Sequence, residues 1–197
     1  MADYASPFSY EQLAAAGTGA RLVGVLGRAR SGKDTYAQRL VDTYGYTRVA
    51  FADPLKAVAY ATDPTVYADG APHRLAALVD TVGWEAAKEH AEVRRLLQHL
   101  GTAMRDHVDP DIWLTKALRT ARQTAGSVVI TDVRFPNEAE AIKARCGTLV
   151  RIVREEPDPA AHLSERLLDD YPTDLTIYNT GDLARFHRFI DATFPLL

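Results

Sequence analysis

The sequence predicts an α/β fold in which a parallel β-sheet is flanked by helices, and three observations support this prediction. Five short apolar runs alternate with segments whose apolar positions recur at helical spacing. Several runs are almost continuously apolar, as expected for strands covered on both faces. Glycine follows two of the helical segments, where it is a common helix stop. This alternation indicates right-handed crossovers between parallel strands.

The predicted elements follow one another along the chain. The strands are LVGVLG (22–27), RVAFA (48–52), SVVITD (127–132), TLVRIV (148–153) and DLTIYN (174–179). Helices are predicted from DTYAQRLVDTYG (34–45), NEAEAIKARCG (137–147) and GDLARFHRFIDATF (181–194). In the second of these helices we expect Asn137 to act as the N-terminal cap.

A long insertion separates the second and third predicted strands. Residues 53–126 contain helical patterns alone, namely PLKAVAYAT, HRLAALVDTV, EVRRLLQHLGTAMRDHV and DIWLTKALRTAR. A segment of this size exceeds a simple crossover and predicts a helical lobe over the carboxyl ends of the strands, where open α/β sheets bind ligands. Residues 1–19 are predicted to be a loosely attached N-terminal extension, and residues 20–197 a single domain.

Composition indicates an ordinary soluble globular protein. Of its 197 residues, 47% are hydrophobic and 25% charged, and the formal net charge is −3. This balance argues against a nucleic-acid polymer or an anionic membrane as partner, because either would require a broad basic face. The single cysteine suits a reducing compartment, and neither a signal peptide nor a run of about 18 apolar residues is visible. We therefore expect a cytoplasmic protein.

The clearest motif follows the first predicted strand. Residues 27–33, GRARSGK, fit G-x-x-x-x-G-K between a strand and a helix. Glycines let successive backbone N–H groups point at phosphate oxygens, and the lysine can reach the β- and γ-phosphates. We predict that this phosphate loop binds ATP through Gly27, Arg30, Ser31, Gly32, Lys33, Asp34 and Thr35.

Asp34 departs from the usual form of such a loop, in which a Ser or Thr after the lysine binds magnesium. We expect Asp34 to bind Mg²⁺ directly or through water, or to act on the acceptor side. The alternative is an acid that is favoured only by the helix dipole. Thr35, one position later, retains a hydroxyl that can share the metal.

A second motif ends the third predicted strand in ITDVRFPNEAEAI (130–142). Asp132 resembles the second carboxylate of P-loop nucleotide sites, which holds the magnesium shell. Arg134 is predicted to lie in the loop at the same sheet edge, where it can stabilise charge that develops in phosphoryl transfer. The predicted catalytic residues are thus Lys33, Asp34 and Arg134.

With both motifs in hand, the chain resembles the deoxynucleoside monophosphate kinases of bacteriophages, within the P-loop nucleoside monophosphate kinase-like group. The matching segments are GRARSGKDTYA, FADPLK (51–56), RRLLQHLGTAMRDHVDPDIW (94–113), ITDVRFPNEAEAI and HLSERLLDD…LTIYNTGDL (162–183). The resemblance implies transfer of the ATP γ-phosphate to a deoxynucleoside 5′-monophosphate (dNMP). It also implies a P-loop kinase fold with a five-stranded parallel sheet in the order 2-3-1-4-5, a substrate lobe and a lid.

An acceptor nucleotide needs cations for its phosphate and a pocket for its base. Arg95, Gln98 and Arg105 recur by steps of three or four and are predicted to share one helix face, unless Gly101 breaks the helix. Guanidinium groups suit phosphate contacts and the amide suits a base edge. The alternative is a solvated basic face.

Three further residues complete the predicted site. Lys56 is a second candidate for the acceptor phosphate, and Trp113 can stack a base, although core packing is the commoner use of tryptophan. Arg154 is the preferred cation of a predicted lid, residues 151–166, that excludes water from the reaction. His162, Ser164 and Glu165 match the family tail without a defined chemistry.

Two other functions stay open at this point. A P-loop kinase for phosphomevalonate would share a similar Gly-Lys-Asp loop and Asp-x-Arg element, and a nucleotide-dependent switch would hydrolyse ATP or GTP slowly. The sequence also leaves open which bases are accepted, how ribose is discriminated and whether the chain forms a homodimer.

Overall fold

The computed structural model describes residues 20–154 and 168–197. It divides into two units, one formed within residues 1–49 and 122–197 and the other from residues 50–121. The predicted extension (1–19) and most of the predicted lid, including His162, Ser164 and Glu165, lie outside the described residues.

The described elements alternate as expected for an α/β protein. The strands are β1 (Leu22–Leu26), β2 (Thr47–Val49), β3 (Thr65–Ala68), β4 (Ala71–Arg74), β5 (Val128–Ile130), β6 (Thr148–Val153) and β7 (Leu175–Tyr178). The helices are α1 (Lys33–Tyr44), α2 (Ala52–Thr62), α3 (Leu75–Ala87), α4 (Ala91–His107), α5 (Ile112–Gln123), α6 (Pro136–Lys143) and α7 (Leu183–Thr193).

The first unit is built on a five-stranded parallel sheet in the order β2-β5-β1-β6-β7. In the described part of the chain, β3 and β4 form a separate two-stranded sheet. When the five strands of the parallel sheet are numbered 1 to 5 along the chain, their spatial order is 2-3-1-4-5, which confirms the predicted order. Val23 of β1 is opposite Val129 of β5, and Val25 is opposite Val150 of β6. All four valines are buried, which explains why these strands read as continuous apolar runs.

Helices α1 and α7 cover the sheet with a shared apolar core. Tyr36 and Leu40 of α1 pack with Phe186 and Ile190 of α7 in one buried cluster that also contains Val25. The spacing of four residues within each helix places both members of a pair on the same face. The predicted amphipathic character of both helices follows from this packing.

The second strand is shorter than predicted. Residues 48–52 were expected to form it, but β2 ends at Val49 and α2 begins at Ala52. The backbone N–H of Ala50 donates to the Asp53 carboxylate (2.9 Å), and the N–H of Asp53 donates to the Ala50 carbonyl oxygen (3.2 Å). These local bonds start the helix early and end the strand.

The second unit contains a β-hairpin that the sequence prediction of helices alone missed. Strands β3 and β4 pair antiparallel around Asp69 and Gly70, whose φ angles are 50° and 78°. Asp-Gly with two positive φ angles is a typical tight hairpin turn. The sequence signal for this hairpin was the Asp-Gly pair that follows the run TVYA, in which exposed and buried residues alternate.

The cap of α6 is also different from the prediction. Asn137 was expected to cap this helix, but it lies inside the first turn, and Phe135 occupies the capping position. The backbone N–H groups of Arg134 and Phe135 donate to Oε2 of Glu138, at 2.8 and 3.0 Å. A buried carboxylate three residues into the helix therefore satisfies the helix start.

Candidate functional site

The phosphate loop joins β1 to α1 through two glycines with left-handed backbone conformation. Gly27 has φ 143° and Gly32 has φ 107°. A Cβ atom on Gly27 would lie 2.3 Å from the carbonyl oxygen of Ile152, and one on Gly32 would lie 2.5 Å from Nδ2 of Asn179. The loop thus packs its backbone directly against the ends of β6 and β7, which only glycine permits.

Lys33 folds back over this loop. Its Nζ atom donates hydrogen bonds to the carbonyl oxygens of Gly27 at 2.6 Å and Arg28 at 2.7 Å. Lys33 is the first residue of α1, and its positive charge therefore lies beside Gly27 and Arg28, the first two residues of the loop. This arrangement concentrates positive charge at the helix N-terminus, where an anion is already favoured by the helix dipole.

The remaining predicted loop residues differ in their surroundings. Arg30 is exposed with φ 60°, while Ser31 is 3% exposed and its Oγ atom has no hydrogen-bond partner in the described structure. Asp34 lies exposed in the first turn of α1, and Thr35 is half-buried beside it. Both oxygen-bearing side chains are therefore at the helix end that carries the loop.

Asp132 lies at the same edge of the sheet. The flanking backbone N–H groups of Thr131 and Val133 donate to Val49 and Val25, each at 3.3 Å, so the chain continues between β2 and β1 beyond the end of β5. Parallel neighbours present their carboxyl ends at one edge, and the phosphate loop leaves β1 at that edge. The topology therefore brings Asp132, which is half-buried, to the edge predicted from sequence.

Arg134 follows with its side chain exposed and its backbone held. The buried Glu138, 2% exposed, accepts the N–H group of Arg134, as described above. Sequence reasoning missed Glu138. Pro136 starts the helix, so Phe135 occupies the capping position, and a glutamate three residues after that position is a recognisable capping pattern.

Arg28 and Arg151 form a second group of cations around the loop. Arg28 donates to both carboxylate oxygens of Asp169, with Nη2–Oδ2 at 2.6 Å and Nε–Oδ1 at 3.4 Å. Arg151 donates to the carbonyl oxygens of Leu168, at 2.8 Å, and of Tyr171. Burial lowers the pKa of Arg151, and the negative charge of Asp169 acts in the opposite direction. A small cavity between Gly27, Arg151 and Asp169 lies among these groups.

Arg154, the predicted lid cation, is exposed and lies beside the loop. Its Nη1 atom is 3.5 Å from the carbonyl oxygen of Arg30, which is the outer limit of a hydrogen bond. The first unit therefore brings Arg154 and the loop residues together.

The predicted acceptor residues on α4 share one face. The helix continues through Gly101 without a break, so the steps between Arg95, Gln98 and Arg105 keep their helical phase. Arg95 and Gln98 are exposed and Arg105 is half-buried, while Val93 and Leu97 pack into the core of the second unit on the other side. The side chain of Arg95 is 65% exposed and lies 3.6 Å from Glu92.

Lys56 is more enclosed than an ordinary surface lysine. Its side chain is 16% exposed, and its Nζ atom lies 3.8 Å from Oε1 of Glu85 and 6.0 Å from the ring centre of Trp84. Lys88 contacts the same Glu85 at 2.9 Å. Lys56 therefore belongs to a small charged cluster within the second unit.

Trp113 does not provide the predicted stacking surface. It is 4% exposed, and its indole N–H donates to the carbonyl oxygen of Gly101 at 3.1 Å. The ring packs inside the second unit because burial of a large aromatic surface, with its polar N–H satisfied, favours the fold. Trp113 therefore serves in core packing, which is the commoner use of tryptophan.

No group of three or more His, Cys, Asp or Glu side chains is placed to hold a metal ion within residues 20–154 and 168–197. Magnesium does not require such a cage, because it commonly binds through one or two carboxylates and substrate phosphates. Asp34 and Asp132 suit that mode. No helix in the described parts of the chain is long and apolar enough to cross a membrane.

Residues 74–190 match the model of the family "Deoxynucleotide monophosphate kinase". A protein of Acanthamoeba polyphaga mimivirus described as "Putative deoxynucleotide monophosphate kinase" is 31% identical over an alignment of 201 positions, and this alignment covers 86% of this chain and 93% of the viral protein.

Solved kinase structures are similar at lower identity. Shikimate kinase from Acinetobacter baumannii is 13% identical with a TM-score of 0.48, and the match covers 90% of this chain and 92% of that one. Dephospho-CoA kinase from Campylobacter jejuni is 12% identical with a TM-score of 0.48, and the match covers 88% and 95% respectively.

Proposed function

This chain belongs to the deoxynucleotide monophosphate kinase family, and we propose that it transfers the γ-phosphate of ATP to deoxynucleoside 5′-monophosphates. The products are the deoxynucleoside diphosphate and ADP. The observation that carries the proposal is the glycine loop between β1 and α1, with Lys33 held over the loop's own carbonyl groups. The same proposal places the enzyme in the cytoplasm.

The donor triphosphate is assigned to the phosphate loop. Gly27 and Gly32 allow the backbone conformation, and the start of α1 adds favourable partial charge. Exchange of the two carbonyl contacts of Lys33 for phosphate oxygens would bring its ammonium group onto the β- and γ-phosphates. Arg30, Ser31 and the exposed Arg154 supply further contacts to the same ligand in this proposal.

The residues present also suit magnesium. Asp34, Thr35 and Asp132 offer hard oxygen ligands at one edge of the sheet, in keeping with one or two carboxylates and phosphate oxygens around the ion. When bound, Mg²⁺ neutralises charge on the transferring phosphate. The protein's own part is to orient the donor and to hold Lys33 and Arg134 where negative charge develops.

The proposed reaction is direct in-line transfer without a phosphorylated enzyme. A nucleoside monophosphate is already anionic, so a strong general base is not needed, and positioning with charge stabilisation accounts for the rate. Arg95, Arg105 and Lys56 are proposed to bind the acceptor phosphate, and Gln98 to read a base edge. The shared face of α4 supports the assignment of Arg95, Gln98 and Arg105. For Lys56, which lies on α2, the positive charge supports it.

A coupled ADP-release assay with ATP, Mg²⁺ and each of the four dNMPs tests the proposal. We expect ADP release that depends on at least one dNMP, with an equal amount of the matching diphosphate. Reactions without acceptor and with phosphomevalonate serve as controls. Folded, ATP-binding protein that shows no dNMP-dependent turnover would overturn the proposal, and turnover with phosphomevalonate would assign a different acceptor.

A further inference from the structure

Asn179 makes a contact with the phosphate loop that lies outside the predicted set of site residues. It follows β7 directly, and its backbone N–H donates to the carbonyl oxygen of Val153 at 2.7 Å. Its side-chain Nδ2 atom donates to the carbonyl oxygen of Ser31 at 2.8 Å. The end of the last strand is therefore bonded to the middle of the loop.

The same amide also packs against Gly32. A Cβ atom on Gly32 would lie 2.5 Å from Nδ2 of Asn179 and 3.3 Å from Cε1 of Phe186, a residue that is 1% exposed. Asn179 and Phe186 thus form a wall behind the loop. A wall of this kind resists movement of the Ser31–Gly32 peptide toward α7.

The geometry of the peptide bond gives this contact a consequence for ligand binding. In a planar trans peptide, C=O and N–H point in opposite directions. Since the Ser31 carbonyl points at Asn179, the N–H of Gly32 points away from Asn179. The amide therefore sets the direction of one of the loop's backbone donors.

We propose that Asn179 is a positioning residue for the phosphate loop, which it holds in the shape that binds the triphosphate of ATP. This inference rests on the proposed use of ATP as donor. Asparagine suits the position because its amide donates to a carbonyl oxygen. Aspartate of the same shape would place one acceptor against another, and alanine would leave the Ser31 carbonyl without this partner.

Two variants test the inference. Asn179→Ala removes the bond and Asn179→Asp keeps the shape, while Thr176→Ala, at an exposed position on the same strand, is the matched control. Titration calorimetry with ATP and Mg²⁺ gives the Kd, and urea unfolding gives the folded fraction. We expect the Kd to rise about three- to ten-fold in Asn179→Ala, as for the loss of one hydrogen bond. The rise should be larger in Asn179→Asp, and the control should be unchanged.

In steady-state kinetics, the KM for ATP should rise in both variants, and the KM for the dNMP should stay constant. A merely structural role would shift the urea midpoint and leave the Kd of the folded protein for ATP unchanged, which would overturn the inference alone. If the native chain binds no ATP, the proposed function fails and this inference fails with it. If the native chain binds ATP without dNMP turnover, only the acceptor assignment fails, and the ATP titrations still decide the role of Asn179.

Discussion

The guanidinium group of Arg28 and the carboxylate of Asp169 form a two-point ion pair, with Nη2 2.6 Å from Oδ2. The two side chains are 35% and 34% exposed, so water reaches both. Arg28 is part of the phosphate loop, where a triphosphate would also attract it. An acidic side chain of the protein therefore shares a cation of the loop that the proposed ligand would use.

Asp169→Asn should strengthen ATP binding by about two- to three-fold, because a competing charge of a partly exposed ion pair is removed. The free energy of unfolding should change by no more than about 1 kcal/mol at low salt, since the pair is partly exposed, and by less at high salt. Calorimetric titration with ATP and urea unfolding at two salt concentrations measure these effects. Asp170→Asn, at the neighbouring exposed acid, is the control. Weaker ATP binding in Asp169→Asn would show that this carboxylate supports the nucleotide-bound loop instead.

Lys33→Met should lower kcat for the proposed reaction by at least about 100-fold, because charge stabilisation in the transition state is lost. The fold should persist, since the Lys33 side chain bonds to half-buried backbone of the loop, at Gly27 and Arg28. The dNMP-dependent assay measures the loss, and circular dichroism monitors the fold. Lys116→Met, at an exposed position on α5, is the matched control. Retention of near-native turnover by Lys33→Met would exclude this lysine from catalysis.

Gly32→Ala should destabilise the protein by more than about 1 kcal/mol, because alanine disfavours a left-handed φ and meets the Asn179 amide at 2.5 Å. Gly45→Ala is the comparison: Gly45 has a left-handed φ of 69°, and no described atom lies within 4 Å of an added Cβ atom. The larger destabilisation expected in Gly32→Ala, measured as the difference between the two urea midpoints, combines its less favourable φ of 107° with the contact at the Asn179 amide. Equal destabilisation would show that the contact with Asn179 relaxes without cost.

Arg95→Ala and Arg105→Ala should each raise the KM for the dNMP about ten-fold, as expected for the loss of a charge-assisted contact of about 1.5 kcal/mol. The Kd for ATP should not change, because donor and acceptor are assigned to different residues. Arg119→Ala, at an exposed arginine on α5, is the control. An unchanged KM in both variants would indicate that this face of α4 is a solvated basic surface that does not bind the acceptor.

Asp191 should make stability depend on pH in the acid range. The hydrogen bonds from Arg39 hold the pKa of Asp191 below its usual value, and the Tyr44 hydroxyl contributes at 2.9 Å. The ionised form therefore stabilises the fold above the unfolded pKa of about 3.9, and this stabilisation is lost as pH falls through the lower folded pKa. Asp191→Asn should be less stable than native protein at pH 7, and the gap should narrow below about pH 4.

Urea unfolding at pH 7, 4 and 3 measures this gap. Asp42→Asn, at an exposed acid on α1, serves as the control. A gap of constant size across the three values would show that the Asp191 carboxylate has the same pKa in both states.

The local sequence was sufficient to predict a structural feature wherever the interactions that form that feature are themselves local. The phosphate loop could be predicted because a strand, two glycines, Lys33 and a helix start are contiguous, and each has an intrinsic backbone preference. The shared face of α4 could be predicted because helical phase depends only on spacing. The hairpin around Asp69 and Gly70 was missed although its signal is local, since the surrounding helical pattern was extended across it.

By itself, the sequence determined the phosphate loop, the alternation of strands and helices, the acid in the first turn of α1 and the acid that follows β5, since these depend on neighbours in the chain. Only the tertiary structure decided that Trp113 is buried, that Asn179 bonds to Ser31 and that Arg28 pairs with Asp169. The last two contacts join residues 148 and 141 positions apart. Side chains so distant meet only because β6 and β7 pair beside β1 and present their carboxyl ends at the edge where the loop begins. Pairing of this kind depends on packing across the whole sheet, which no local pattern encodes.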